Sequence, residues 1–138
     1  MTTAREIMTP DAQCVGEDQT LTDAARMMRE LDVGALPICG KDDRLKGMIT
    51  DRDITIGCVA EGKDPDTVKA GEYGGDELVT IGADDDISEA LHTMMDHQIR
   101  RLPVIDGHRL VGMVCQADLA RALPPKDVGE LVEAVSRH

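Results

Sequence analysis

Three residues in the stretch "GMITDRD" have types and spacing that suit chemistry: Gly47, Thr50 and Asp53. A glycine on a strand lets a ligand or another backbone come close. A threonine three residues before an aspartate, where a strand gives way to a helix, sets a hydroxyl and a carboxylate beside unpaired helix N–H groups. Those groups and the helix dipole favour phosphate oxygens. The Asp53 carboxylate can accept both hydroxyls of a ribose, and the Thr50 hydroxyl can reach a phosphate or sugar oxygen. Together they make a clamp for a nucleoside monophosphate. Arg52 is the candidate phosphate partner, opposed by its neighbour Asp51. The same spacing is that of a capping box, in which Thr and Asp simply close a helix end. The residues alone leave both readings open.

The stretch recurs as "GMVCQAD", Gly112 to Asp118. Here Cys115 replaces the threonine, and a thiol is a weak hydrogen-bond partner. Asp118 remains as a candidate ribose acceptor, and the phosphate contact loses its hydroxyl. At most one good site is therefore expected, centred on Thr50 and Asp53. Arg100 and Arg101 stand just ahead of a strand where the first copy has Gly34 and Ala35. They are candidate ligand-facing cations, with solvated arginines as the alternative.

The elements that must position these residues are themselves duplicated. "LTDAARMMRELDVGALPIC" aligns without gaps on "ISEALHTMMDHQIRRLPVI", and "AQCVGED" aligns upstream on "LVTIGAD". Each copy reads as strand, helix, strand, turn, strand, helix. Thr20 with Asp23, and Asp86 with Glu89, stand at capping-box spacing ahead of the first helix. Apolar positions then follow helical spacing at Leu21, Ala24, Ala25, Met28 and Leu31, and at Ile87, Ala90, Leu91 and Met94. Strand–helix–strand predicts a parallel right-handed crossover, and the following hairpin is antiparallel. One unit alone leaves a sheet face bare, so the fold class is α/β (α+β): two pseudo-symmetric β-α-β-β-α repeats packed sheet-to-sheet. The expected boundaries are repeat 1 over 7–62, a Gly-, Pro- and charge-rich linker over 63–75, repeat 2 over 76–123 and a C-terminal helix over 124–138. Val128, Leu131, Val132 and Val135 give that helix an apolar stripe for the module's own core.

With "IMTPD" from Ile7, "LPIC", "LPVI" and the two Gly-Met stretches in both halves, the chain resembles a tandem CBS-domain pair, or Bateman module. The resemblance runs from Ile7 to about Leu123. It implies a regulatory module, not an enzyme, that binds an adenosyl ligand such as AMP in the cleft between repeats. In that family Gly-hydrophobic-x-Thr/Ser-x-x-Asp/Asn contacts the ribose and phosphate of adenine nucleotides, which carries over to Gly47, Thr50 and Asp53. The resemblance also implies that basic residues near Arg100 and Arg101 face the cleft, and that the module forms homodimers through its helices. The regulated protein partner is not legible. The competing expectation is a ligand-free dimeric interaction or stress protein, stabilised by a disulfide or a metal.

Composition narrows the partners. The net charge of −12 disfavours nucleic acid and anionic membrane surfaces. No stretch is apolar enough to span a bilayer, and no signal-peptide segment is legible, so the expected compartment is the cytoplasm, with signal-less export as the other route. Tyr73 is the sole aromatic residue, so a ligand base would lie among aliphatic side chains. No Ser-His-Asp or Cys-His arrangement suggests catalysis. No Cys-x-x-Cys or His-x-x-x-His spacing supports zinc, and no metal ligand is assigned. His97 falls at a core or helix-end position. Cys14 and Cys39 lie on strands expected to be neighbours, which makes them the pair best placed for a disulfide; two buried thiols are the cytoplasmic default.

Overall fold

Among the described residues, each of two crossover helices is followed by a hairpin and a further helix. The computed structural model describes residues 1–73 and 78–136. In order these form α1 (Ala4–Ile7), β1 (Thr9–Pro10), β2 (Val15–Gly16), α2 (Leu21–Leu31), β3 (Ala35–Cys39), β4 (Leu45–Thr50) and α3 (Asp51–Ile54). A π-helical turn, Thr55–Val59, continues α3, and a 3-10 turn covers Ala70–Tyr73. Then come β5 (Ile81–Gly82), α4 (Ile87–His97), β6 (Arg101–Asp106), β7 (Arg109–Cys115), α5 (Gln116–Ala122) and α6 (Pro125–Val135). The expected junction between linker and second repeat, at 75 and 76, lies outside the described residues, as do 137 and 138 of the C-terminal segment.

Both crossovers form as the alternation predicts. β2 runs parallel to β3 and β5 parallel to β6, while β3–β4 and β6–β7 are antiparallel hairpins. Helix α2 opens with the expected reciprocal box: Thr20 Oγ1 accepts from the Asp23 N–H at 3.2 Å, and Asp23 Oδ2 accepts from the Thr20 N–H at 3.1 Å. Helix α4 departs from the expectation. Asp86 accepts from the Ser88 N–H at 2.9 Å, so its own short carboxylate caps the helix without Glu89. That N–H holds the Asp86 carboxyl below the usual carboxylate range. Both helices end on a left-handed residue, Asp32 and Gln98, which turns the chain into the next strand.

The chain divides into two units, and the division is not a cut between halves. One unit is Gln13–Leu78; the other joins Met1–Ala12 to Val79–His138. The first has a three-stranded sheet, β2-β3-β4, with Leu21, Leu36, Ile38 and Ile49 fully buried. The second has a four-stranded sheet, β1-β7-β6-β5, around Met94, Leu102, Leu119 and Leu131. Each such side chain contributes roughly 1.5–3 kcal/mol through burial. Helix α6 covers the second unit's core with Leu131 and Val135, while Val132 of its stripe is exposed. Leu31 and His97, aligned on the apolar stripes of the crossover helices, are both exposed where those helices end. The final turn has rotated past the core.

The fourth strand comes from the N-terminus. The Ala4 and Arg5 N–H groups donate to the Asp85 and Ala83 carbonyls, and the Ile87 N–H donates to Thr2. The same three bonds recur in the other unit: Ala70 and Gly71 donate to Gln19 and Glu17, and Leu21 donates to Val68. So the segment before each repeat's first strand docks on the unit built around the other repeat. Arg5 adds ion pairs to Asp106 at 3.0 Å and Asp84 at 3.6 Å, and its hydrogen bond to Asp106 raises the guanidinium's pKa.

Gly112 makes this docking sterically feasible. A Cβ there would lie 2.7 Å from the Thr9 carbonyl oxygen and 2.6 Å from Met8 Sδ. Gly112→Ala is expected to cost about 1–3 kcal/mol in denaturant unfolding, because backbone must move. Gly129 on α6 faces open space, so Gly129→Ala is the control of opposite sign, stabilising by up to about 1 kcal/mol. Equal effects of the two substitutions would remove the steric role of Gly112.

Candidate functional site

Strand β4 ends at Thr50 with extended backbone (φ −116°, ψ 161°), and α3 begins at the next residue. The Thr50 N–H donates to Asp53 Oδ2 at 2.9 Å, and the Asp53 N–H donates to Thr50 Oγ1 at 3.1 Å. The capping box foreseen as the purely structural alternative is thus formed. It occupies one carboxylate oxygen. Among the described residues, the other Asp53 oxygen has no hydrogen bond or ion pair. Asp53 is half-buried, so it is shaped by the fold and still reachable.

Gly47 is buried in mid-strand and pairs with Ile38 on β3. Thr50 pairs with Ala35, and the Asp51 N–H donates to the Gly34 carbonyl at 2.9 Å. The Asp51 carboxylate lies over Gly34, with Oδ2 only 3.0 Å from where a Cβ would stand. Arg52 is exposed, and its N–H donates to Asp51 Oδ1 at 2.8 Å. This strand end therefore gathers Thr50, Asp51, Arg52 and Asp53 around one helix start. It is rich in acceptors and carries one nearby cation.

The second copy keeps the strand end, runs on as α-helix where the first turns π-helical, and changes the side chains. Arg101 pairs with Cys115, and the Gln116 N–H donates to the Arg100 carbonyl at 3.0 Å. Arg100 and Arg101 are exposed and, among the described residues, make no ion pair. The Cys115 N–H donates to Asp118 Oδ2 at 2.9 Å. Asp118 Oδ1 accepts from Arg121 at 2.7 Å, and the aspartate side chain is only 4% exposed. Sequence reading passed over Arg121. Its signal was the three-residue spacing from Asp118 on a helix.

Two further contacts stand out in the Gln13–Leu78 unit. Tyr73 donates its hydroxyl to the Gly57 carbonyl at 2.9 Å, across the π-helical turn. Its ring lies 3.1 Å from where a Gly57 Cβ would stand, so the sole aromatic residue closes on a glycine. Cys14 and Cys39 form a disulfide with Cα atoms 5.8 Å apart, beside the two-residue pairing of β2 with β3. Cys58 is buried, and Cys115 is half-buried. Among the described residues, no group of three His, Cys, Asp or Glu side chains is placed to hold a metal ion, and no helix is long and apolar enough to cross a membrane.

Comparison with known proteins agrees with this architecture. The family model for the CBS domain matches residues 4–57 and 70–125. The chain is 55% identical over 135 residues to hypoxic response protein 1 of Mycobacterium tuberculosis, covering 98% of this chain and 94% of that protein. A crystal structure of Hypoxic Response Protein I with two coordinated zinc ions matches at 57% identity and a TM-score of 0.83, over 89% of this chain and 100% of the other. The structure of CBSX2 in complex with AMP matches at 21% identity and a TM-score of 0.74, over 88% and 96% of the two chains, a likeness of fold alone.

Proposed function

Because the chain belongs to the CBS-domain family, as a tandem pair of repeats, we propose that it is a regulatory module that reads an adenosyl ligand at the Thr50–Asp53 strand end. The observation that carries this reading is the half-buried Asp53 carboxylate. One oxygen is fixed by the Thr50 N–H, and the other has no partner among the described residues. A ribose diol supplies two neutral donors to such a group. The hydroxyl of Thr50 and the exposed guanidinium of Arg52 are the candidate phosphate contacts. Gly47 is the close-approach position on the same strand. Arg100, Arg101 and Asp118 belong to the second copy, and we give them a secondary role.

The ligand class is AMP-like. That the AMP complex of CBSX2 shares the fold supports the class and no more. The name of the mycobacterial relative supports a place in a stress or low-oxygen response. A homodimer fits the exposed Ile56 and Val59 on the helical run after Thr50, and the regulated protein would be the module's partner. The two zinc ions of the Hypoxic Response Protein I structure are that protein's, and this reading assigns no metal ligand here.

Equilibrium dialysis with adenosine, AMP, ATP and S-adenosylmethionine tests the proposal. At least one is expected to bind, and Asp53→Ala to weaken it tenfold or more, the loss of about 1.4 kcal/mol. Thr50→Ala should also lower stability by about 1 kcal/mol through the lost cap. The closed capping box favours a second reading, in which the chain is a ligand-free interaction protein. Under that reading the two substitutions change stability alone. Failure of all four compounds to bind would select it.

A further inference from the structure

The two copies of the motif differ at one contact just beyond it. Three residues past the aspartate, the second copy has Arg121 and the first has Ile56. Arg121 donates to Asp118 Oδ1 at 2.7 Å, while Oδ2 takes the Cys115 N–H at 2.9 Å. Ile56 offers no donor, and 49% of it is exposed. Asp53 keeps an oxygen with no partner among the described residues.

Hydrogen bonding alone would not close Asp118. A carboxylate has about four acceptor positions, and here two are used. Burial and the Arg121 bond act together. The Asp118 side chain is 4% exposed, against a half-buried Asp53, and the exposed guanidinium holds Oδ1. A neutral sugar hydroxyl would have to displace a charge-assisted bond, which is roughly twice as strong as a neutral one.

We infer that Arg121 makes the pair one-sided. It is the built-in counter-ion of Asp118 and withdraws that carboxylate from ligand reading, whereas Ile56 at the equivalent place leaves Asp53 open. This rests on the reading of Asp53 as the ligand-binding carboxylate. Its consequence is one ligand for each pair of repeats, chosen by a residue outside the Thr-x-x-Asp pattern. Arg121 is thus a specificity-determining residue that acts through Asp118.

The test has a ligand-free readout. A water-soluble carbodiimide with glycine ethyl ester modifies accessible carboxylates, and peptide mass spectrometry reads each one. In the wild-type chain Asp53 is expected to react about tenfold faster than Asp118, the factor set by one hydrogen bond to a charged group. Arg121→Ile should raise the Asp118 rate about tenfold, toward that of Asp53. The Arg121 side chain is 72% exposed, so this variant spares the core, and circular dichroism checks its fold. Ile56→Arg should protect Asp53 and weaken adenosine binding about tenfold. Equal wild-type rates, an Asp118 that stays protected in Arg121→Ile, or an Asp53 unaffected by Ile56→Arg would each overturn the inference. A wild-type chain that binds no adenosine would defeat the parent reading, and the labelling would still decide this one.

Discussion

Reduction of the Cys14–Cys39 disulfide is expected to destabilise the Gln13–Leu78 unit by about 3 kcal/mol, the chain-entropy value for a loop of this size. The bond closes a sequence separation of 25 residues. It lies where β2 meets β3 through only two paired positions, Val15 with Ile38 and Gly16 with Cys39. So short a parallel strand has few ladder bonds of its own, and without the covalent tie its registration depends on buried Val15. The expected fall in melting temperature is about 10 °C or more for a unit of this size. Thermal unfolding with and without a phosphine reductant measures it. Hydrogen exchange should show the loss in Gln13–Leu78 and leave β6 and β7 of the other unit unchanged. A Cys14→Ala/Cys39→Ala chain should already melt low and ignore the reductant. If wild-type chain melts at one temperature in both conditions, the bond contributes nothing.

Deleting Met1–Ala12 is expected to cost the second unit about 3–5 kcal/mol, although the segment lies far in sequence from the rest of that unit. The segment supplies fully buried Ala4, half-buried Ile7 and Met8, three loop hydrogen bonds and the β1–β7 pairing. Its removal opens the edge of β7 and uncovers Gly112, which has no side chain to protect the strand. Arg5→Ala should change stability far less, because the Arg5 pairs are exposed and such pairs contribute about 0–1 kcal/mol. Denaturant midpoints for the two variants separate the effects. A truncated chain that unfolds at the wild-type midpoint would show that β1 is ornamental.

Much of the fold was legible because the repeat compares the sequence with itself. Two sets of apolar positions at helical spacing and two Leu-Pro strands gave the crossovers, and the hairpins followed from their Gly and Asp turns. The capping box at Thr20 was legible for the same reason. What escaped notice was carried by backbone. Residues before Ile7 dock through N–H groups and carbonyls, and such contacts leave almost no side-chain pattern. Only Ala4 with Ala70 and Glu6 with Glu72 match between the two docking segments. The π-helical turn at Thr55–Val59 escaped as well, and the Tyr73 hydroxyl that donates to Gly57 within it comes from sixteen residues away. At the site, the seven-residue motif showed the capping box that Thr50 and Asp53 form. It could not show that Asp118 is buried under Arg121, because burial depends on the whole unit.

The exchanged N-terminal segment also sets a schedule for the newborn chain. Thr9 is translated 104 residues before its partner Met113. At typical synthesis rates the segment waits about 5–20 s beyond the ribosome exit before its sheet exists. The Gln13–Leu78 unit can condense during that wait, whereas the other cannot close until β7 has been made. A bulky fusion ahead of Met1 should therefore burden maturation of the carboxy-terminal portion more than that of its neighbour.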